Sequence, residues 1–324
     1  MSEKKIGFVV PYFGNLPDYF QVWLDSCKDN PTIDWLLFTN DKSQYEYPSN
    51  VKVQYTTFED IQVLIKRNYE FDVKIESPYK LCDYKIAYGE IFKEYLVNYD
   101  FWGYCDVDLI WGDIRKFYTN ELLDEYDKIG NQGHATIYRN DIEVNARYKF
   151  KIDDESYIDD FMTNDICCTD VKLIRKIYEN YKFKSYDEAI YAGLEKYEPA
   201  FYLQAKPRTE AWKNKHQIFL LEKGKLIRYY TNERNELFQE EYLYIHFFCR
   251  PMKNLITSME RVLIYPDTYR TFTEIITPKL VKKYGKKSKI SYYYRVFLQN
   301  RHRISIKKII SYFEIKKKYV NTKR

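Results

Sequence analysis

At 324 residues, 45% hydrophobic and 31% charged, the chain has the composition of a soluble globular protein, long enough for one large domain or two smaller ones. Its ten scattered glycines form neither GxxxxGK[ST] nor GxGxxG, which argues against a P-loop NTPase and a standard dinucleotide-binding enzyme. The net charge of +5 hides an asymmetry: Lys279–Arg324 holds sixteen Lys or Arg and one acid, and the other 278 residues hold 36 basic and 46 acidic side chains.

In chain order, Lys5–Val10 reads as a buried strand that stops at Pro11. Asp18–Asp29 follows as a helix with Tyr19, Phe20, Val22, Trp23 and Cys27 as its apolar members. Asp34–Thr39 and Val51–Tyr55 read as strands, and Phe58–Asn68 and Pro78–Leu96 as helices. The second helix has Ser77 as N-cap and Pro78 at its first position. Phe101–Cys105 is a further apolar strand. The succession predicts an α/β fold with a mainly parallel sheet flanked by helices. From Gly112 to about residue 277 the pattern becomes mixed short helices and strands, without repeat or linker. The composition breaks near Pro278, so residues 1–277 are expected to form the catalytic domain and 278–324 a basic helical tail.

The longest uncharged stretch, Ile6–Pro17, is too short to span a bilayer, and the opening MSEKK lacks a signal-peptide cleavage pattern. Cys27, Cys82, Cys105, Cys167, Cys168 and Cys249 form no CxxC pair, so reduced thiols are expected and neither disulfides nor structural zinc. A cytoplasmic protein follows. In the tail, Ile306, Ile309, Ile310 and Phe313 recur at helical spacing beside Lys307, Lys308 and Lys316–Lys318. That pattern suits an amphipathic helix on an anionic membrane surface, with a solvated helix packed on the domain as the alternative. Nucleic acid is not expected as a partner, since no recognition module accompanies the basic patch.

The chemistry concentrates in Phe101-Trp-Gly-Tyr-Cys-Asp-Val-Asp-Leu-Ile-Trp-Gly-Asp113. An apolar strand ends in Asp106-Val107-Asp108, and in extended chain i and i+2 point to one side, so the carboxylates converge. At the carboxyl end of a strand in an open α/β sheet they face the ligand crevice. Two such oxygens call for Mg²⁺ or Mn²⁺. Alternatively, one Asp caps the next segment and the other is a solvated loop residue.

The DVD-LIWGDI segment resembles the DXD segment of nucleotide-sugar-dependent glycosyltransferases of the GT-A fold, in particular bacterial capsule and lipopolysaccharide enzymes. The opening KKIGFVVPYFGNLPDYFQVWLDSCKDNPTIDWLLFTND and the helix PYKLCDYKIAYGEIF extend the likeness over residues 4–117. The resemblance implies a GT-A-like Rossmann-type sheet, with Asp106 facing metal and nucleotide ribose and Asp108 a direct metal ligand. Tyr244–Lys253 (YIHFFCRPMK) resembles the HFxGxxKPW segment of glycogenin-like and lipopolysaccharide galactosyltransferases, without its glycine and with Met252 in place of its Trp. By that likeness His246 completes the metal shell, with Mn²⁺ favoured by the imidazole, and Arg250 or Lys253 holds the diphosphate. The alternative is a core His on an aromatic strand.

Further positions follow from the same likeness. Lys80, Asp83 and Lys85 are placed to contact donor sugar and diphosphate, or Lys80 and Asp83 form a surface ion pair at i, i+3. In Ser185-Tyr-Asp-Glu188, Asp187 and Glu188 match the acidic segment facing acceptor and anomeric carbon, while Ser185 and Glu188 also read as a capping box. Pro11 and Tyr12 lie where such folds cradle base and ribose, or form a turn with core aromatics; His134 is placed on the acceptor side. The expected function is transfer of a sugar from a nucleotide sugar, preferentially UDP-linked, to a saccharide or lipid-linked acceptor of bacterial surface polysaccharide. Retaining chemistry is preferred on the His246 segment alone. Two other classes stay open: a nucleotidyltransferase or nuclease using Asp113 as a further carboxylate, and a noncatalytic carbohydrate-binding relative.

Overall fold

The computed structural model describes residues 3–188, 191–194, 200–204, 216–285 and 297, and shows an α/β fold of three mixed sheets flanked by helices. The first sheet is built from β1 (Ile6–Tyr12), β2 (Ile33–Thr39), β3 (Val51–Tyr55), β4 (Phe101–Cys105), β6 (Lys128–Gln132), β7 (Ala135–Arg139) and β8 (Ser185–Tyr186), in the order β3-β2-β1-β4-β7-β6-β8. Only β7 runs antiparallel to its neighbours. Strand β1 continues through Pro11 to Tyr12, beyond the expected stop. Its ladder with β4 has ended at Val9↔Tyr104, so Pro11 sits where β1 pairs with β2 alone.

The period of two along β1 divides the interior. Ile6, Phe8 and Val10 face one core with Trp23 and Leu24 of α1 (Phe20–Lys28). Val9 faces the other, with Ile61 and Ile65 of α2 (Phe58–Lys66) and Leu173 and Ile177 of α3 (Lys172–Asn180). The segment 78–96 also lies on this second side, but not as one helix. It is a chain of short helical turns, and Ser77 makes no side-chain cap. Its middle is buried on more than one face, at Lys80, Leu81, Asp83, Tyr84, Ile86, Ala87 and Tyr88, so packing there overrides the regular 3.6-residue turn.

Strand β5 (Leu109–Trp111) leaves the first sheet for a four-stranded one with β9 (Tyr191–Gly193), β10 (Tyr202–Gln204) and β14 (Tyr244–His246), ordered β10-β9-β14-β5. A six-stranded, largely antiparallel sheet follows, from β11 (Gln217–Glu222), β12 (Lys225–Thr231), β13 (Leu237–Tyr242), β15 (Lys253–Leu255), β16 (Arg261–Tyr265) and β17 (Thr268–Thr271). The mainly parallel arrangement thus holds for the first sheet and not for the other two. Ile110, Ile245 and Phe247 pack against Phe219, Val262 and Ile264, joining the second sheet to the third.

The helix α4 (Pro278–Tyr284) begins at the expected tail boundary, capped by Thr277, but packs on the outer face of the third sheet, where Leu280 and Val281 join Ile218, Leu220 and Leu263. The amphipathic segment at Ile306–Phe313 lies outside the described residues. Among the described residues no helix is long and apolar enough to cross a membrane.

Candidate metal centre

Strand β4 ends at Cys105, and the Asp106 N–H donates to the carbonyl of His134 at 3.0 Å, which fixes the start of the crossing to β5. Val107 turns into the core beside Cys105 and Leu109, so Asp106 and Asp108 face the other way. Strand β14 runs antiparallel to β5 with His246 opposite Leu109. This register carries the imidazole to the two carboxylates.

His246 Nε2 lies 3.3 Å from Asp108 Oδ1 and 3.8 Å from Asp106 Oδ2. One ligand atom from each of the three residues falls within 4.8 Å of the others. Asp108 is buried, and its second oxygen accepts the Cys249 N–H at 2.6 Å. Burial pushes the Asp108 carboxyl up, but the hydrogen bond and charge of His246 and the Cys249 N–H outweigh it, leaving the group below its usual value. Asp106 is about one-third exposed and is the member open to solvent. His246 Nδ1 is buried without a hydrogen-bond partner among the described residues. Two converging carboxylates and one imidazole nitrogen facing both form a donor set that fits Mn²⁺ or a similar divalent cation.

Lys85 belongs to the same cluster. Its Nζ donates to Asp106 Oδ1 and to the Gly133 carbonyl, each at 2.7 Å, and Asp170 Oδ2 lies 3.9 Å away. Burial opposes the lysine's charge, yet Asp106 and Asp170 hold its pKa above the ordinary value. The His134 ring packs against His246 with centroids 4.1 Å apart and the planes tilted by 32°, and neither of its nitrogens has a hydrogen-bond partner among the described residues. Burial, then His246 and Lys85, keep His134 neutral by pulling its pKa well below the usual imidazole value. Tyr12, half-buried, has its phenol pushed up by burial and then by Cys249 and Asp108; Tyr19 is raised by burial and then by Asp108 and Cys249. Both phenols thus feel the charge of Asp108. Pro11 stays in β1 opposite Phe38.

Other expected site residues lie elsewhere. Lys80 and Asp83 are fully buried, not a surface pair. Lys80 Nζ donates to Asp83 at 2.8 Å and to the carbonyls of Asp160 and Asp165, while Asp83 also accepts from the N–H groups of Cys167 and Thr169. The complete bonding makes burial of both charges tolerable and ties segment 78–84 to 160–169. Arg250 is buried in an ion pair with Asp267, Nε at 2.9 Å, and Lys253 is exposed on β15. Asp187 accepts from buried Lys128 at 3.0 Å at the far edge of the first sheet, three strands from β4. Ser185 is in strand β8, paired with Lys128, so it caps no helix; Glu188 is exposed just beyond. Asp113 is the N-cap of residues 114–117, accepting from Lys116 N–H at 3.2 Å. It contributes nothing to the cluster.

Sequence reasoning did not find Tyr19, Asp170 or Gly133 in the site. Tyr19 carries no signal among 35 tyrosines, and Asp170 lies 64 positions beyond Asp106 with no motif around it. A family model described as a family of unknown function (DUF6625) matches residues 8–273. The search of curated proteins finds no match.

Proposed function

The chain belongs to the DUF6625 family, whose function is unknown, and from that premise we propose that it is a metal-dependent glycosyltransferase of GT-A-like fold. The donor is a nucleotide sugar, preferentially UDP-linked, and the acceptor a saccharide or lipid-linked saccharide of bacterial surface polysaccharide. The observation that carries the reading is the convergence of Asp106, Asp108 and His246 within 4.8 Å at the end of a central strand. Asp106, Asp108 and His246 would hold Mn²⁺, or Mg²⁺, which when bound supplies Lewis acidity to a diphosphate leaving group. Tyr12 and Tyr19, whose phenols feel the Asp108 charge, are the aromatic candidates for contact with a nucleotide base. The Cys249 N–H fixes the Asp108 carboxylate, and the more exposed Asp106 is held by Lys85. Positioning of two substrates in one crevice supplies a large part of the rate.

Asp187, held by Lys128, and Glu188 lie at the far edge of the first sheet, so an acceptor-side role for them would need an acceptor reaching across to that edge; the preference for retention rests on His246. Arg250 is engaged by Asp267, which leaves Lys253 as the exposed cation of that segment. A two-metal phosphodiester enzyme is disfavoured by Asp113, which serves as a helix cap. The basic tail is proposed to bring the enzyme to the inner face of the membrane.

Calorimetry with UDP, with and without Mn²⁺, on wild type and Asp108→Asn tests the reading. UDP binding that requires Mn²⁺ and is lost in the variant is expected. Absence of UDP binding under every metal condition would overturn it.

A further inference from the structure

Lys85 occupies an unequal cradle. Its Nζ is bonded to Asp106 Oδ1 and the Gly133 carbonyl, both at 2.7 Å, and stands 3.9 Å from Asp170 Oδ2. Asp170 is 6% exposed, and among the described residues no cation lies closer to its carboxylate than Lys85. At 3.9 Å the Lys85–Asp170 ion pair is loose, and a small shift of the ammonium would tighten it. The approach is built in: a Cβ on Gly133 would stand 2.4 Å from Asp170 Oδ2, so only glycine lets the carboxylate lie against the hairpin turn that also holds Lys85.

Asp106 is claimed twice. It is a member of the candidate metal centre and the present partner of Lys85. Two cations on one carboxylate repel strongly at these separations, even at the effective dielectric of a protein site. Gly133 O contacts Nζ from the hairpin between β6 and β7, a fixed point about which the ammonium can turn from Asp106 to Asp170.

Resting on the metal reading above, we propose that Lys85 is the internal counter-ion of Asp106, and that Asp170 is a positioning residue which receives the Lys85 ammonium when a divalent cation takes Asp106. The transfer needs no proton exchange: Nζ leaves one carboxylate and completes the ion pair with the other. Lys85 therefore competes with the cation, and Asp170 relieves that competition.

The test is titration of the full chain with Mn²⁺ alone, following the loss of the free-ion electron paramagnetic signal, with thermal melting of each variant alongside. Lys85→Met is expected to tighten Mn²⁺ binding about tenfold or more, because it removes a positive charge from beside the site. Damage to a fold does not produce such a gain. Lys85→Arg keeps the charge and is expected to stay near wild type. Asp170→Asn, close to isosteric, is expected to weaken binding about tenfold, and most of that loss is expected to vanish in the Lys85→Met background. Unchanged or weaker binding in Lys85→Met, or unchanged binding in Asp170→Asn, overturns the proposal while Asp108→Asn still reports the metal site. If wild type binds no Mn²⁺, the metal reading itself falls and takes this proposal with it.

Discussion

Asp170 makes a titration argument at the scale of one residue. Burial, opposed by Lys85, raises its carboxyl from 3.8 to about 6. The folded protein therefore keeps a proton over a range where the unfolded chain has lost it. This group's contribution is most favourable below about pH 3.8, declines as pH rises to about 6, and is level above that. Asp170→Asn removes the decline and is expected to stabilise the protein at pH 7 by at most about 3 kcal/mol. Urea denaturation from pH 4 to 7 checks it: the gap between variant and wild type should open up to pH 6 and then hold. A constant gap across the range would contradict the assignment. Asp106, Asp108 and His246 were legible in the sequence because strand alternation and a partial motif mark them. Asp170 was not, because its relation to Lys85 exists only once Gly133 brings two distant segments together.

The turn after β14 belongs to the scale of elements. Phe248 and Cys249 have φ of 48° and 52°, the left-handed region that side chains other than glycine occupy at a cost. The strained pair places the Cys249 N–H on Asp108, so the turn adds a second tie to the carboxylates beside that of His246 on β14. Glycine, the residue missing from the resembled segment, suits this backbone. Cys249→Gly is expected to raise stability by about 1 kcal/mol, with Mn²⁺ binding kept because the N–H remains. Thermal or chemical denaturation measures the first and the Mn²⁺ titration the second. Local signals served unevenly here. The strands β1 to β4 were legible, and β1, β2 and β4 follow from apolar runs that the core demands. The helix at 78–96 and the cap at Ser185 failed because their start signals are local, and tertiary packing decides whether they are used.

For the molecule as a whole, the sequence marked the α/β beginning and left the second and third sheets unread, since their short strands pair across long separations. The charge asymmetry carries a prediction at this scale. With α4 packed on the third sheet, truncation after Gly285 removes most of the basic surplus without touching a described element. The full chain is expected to sediment with vesicles containing anionic lipid and not with neutral ones, and the truncated chain with neither. Equal sedimentation of both chains would assign the contact to the body. The pairing of β5 with β14 has one more consequence, for biosynthesis. Asp108 and Cys249 are 141 residues apart. At about 5–20 residues per second, the ribosome needs on the order of ten seconds between the two. Throughout that interval the nascent chain displays its two aspartates without the histidine, so the centre can assemble only after most of the polypeptide has emerged.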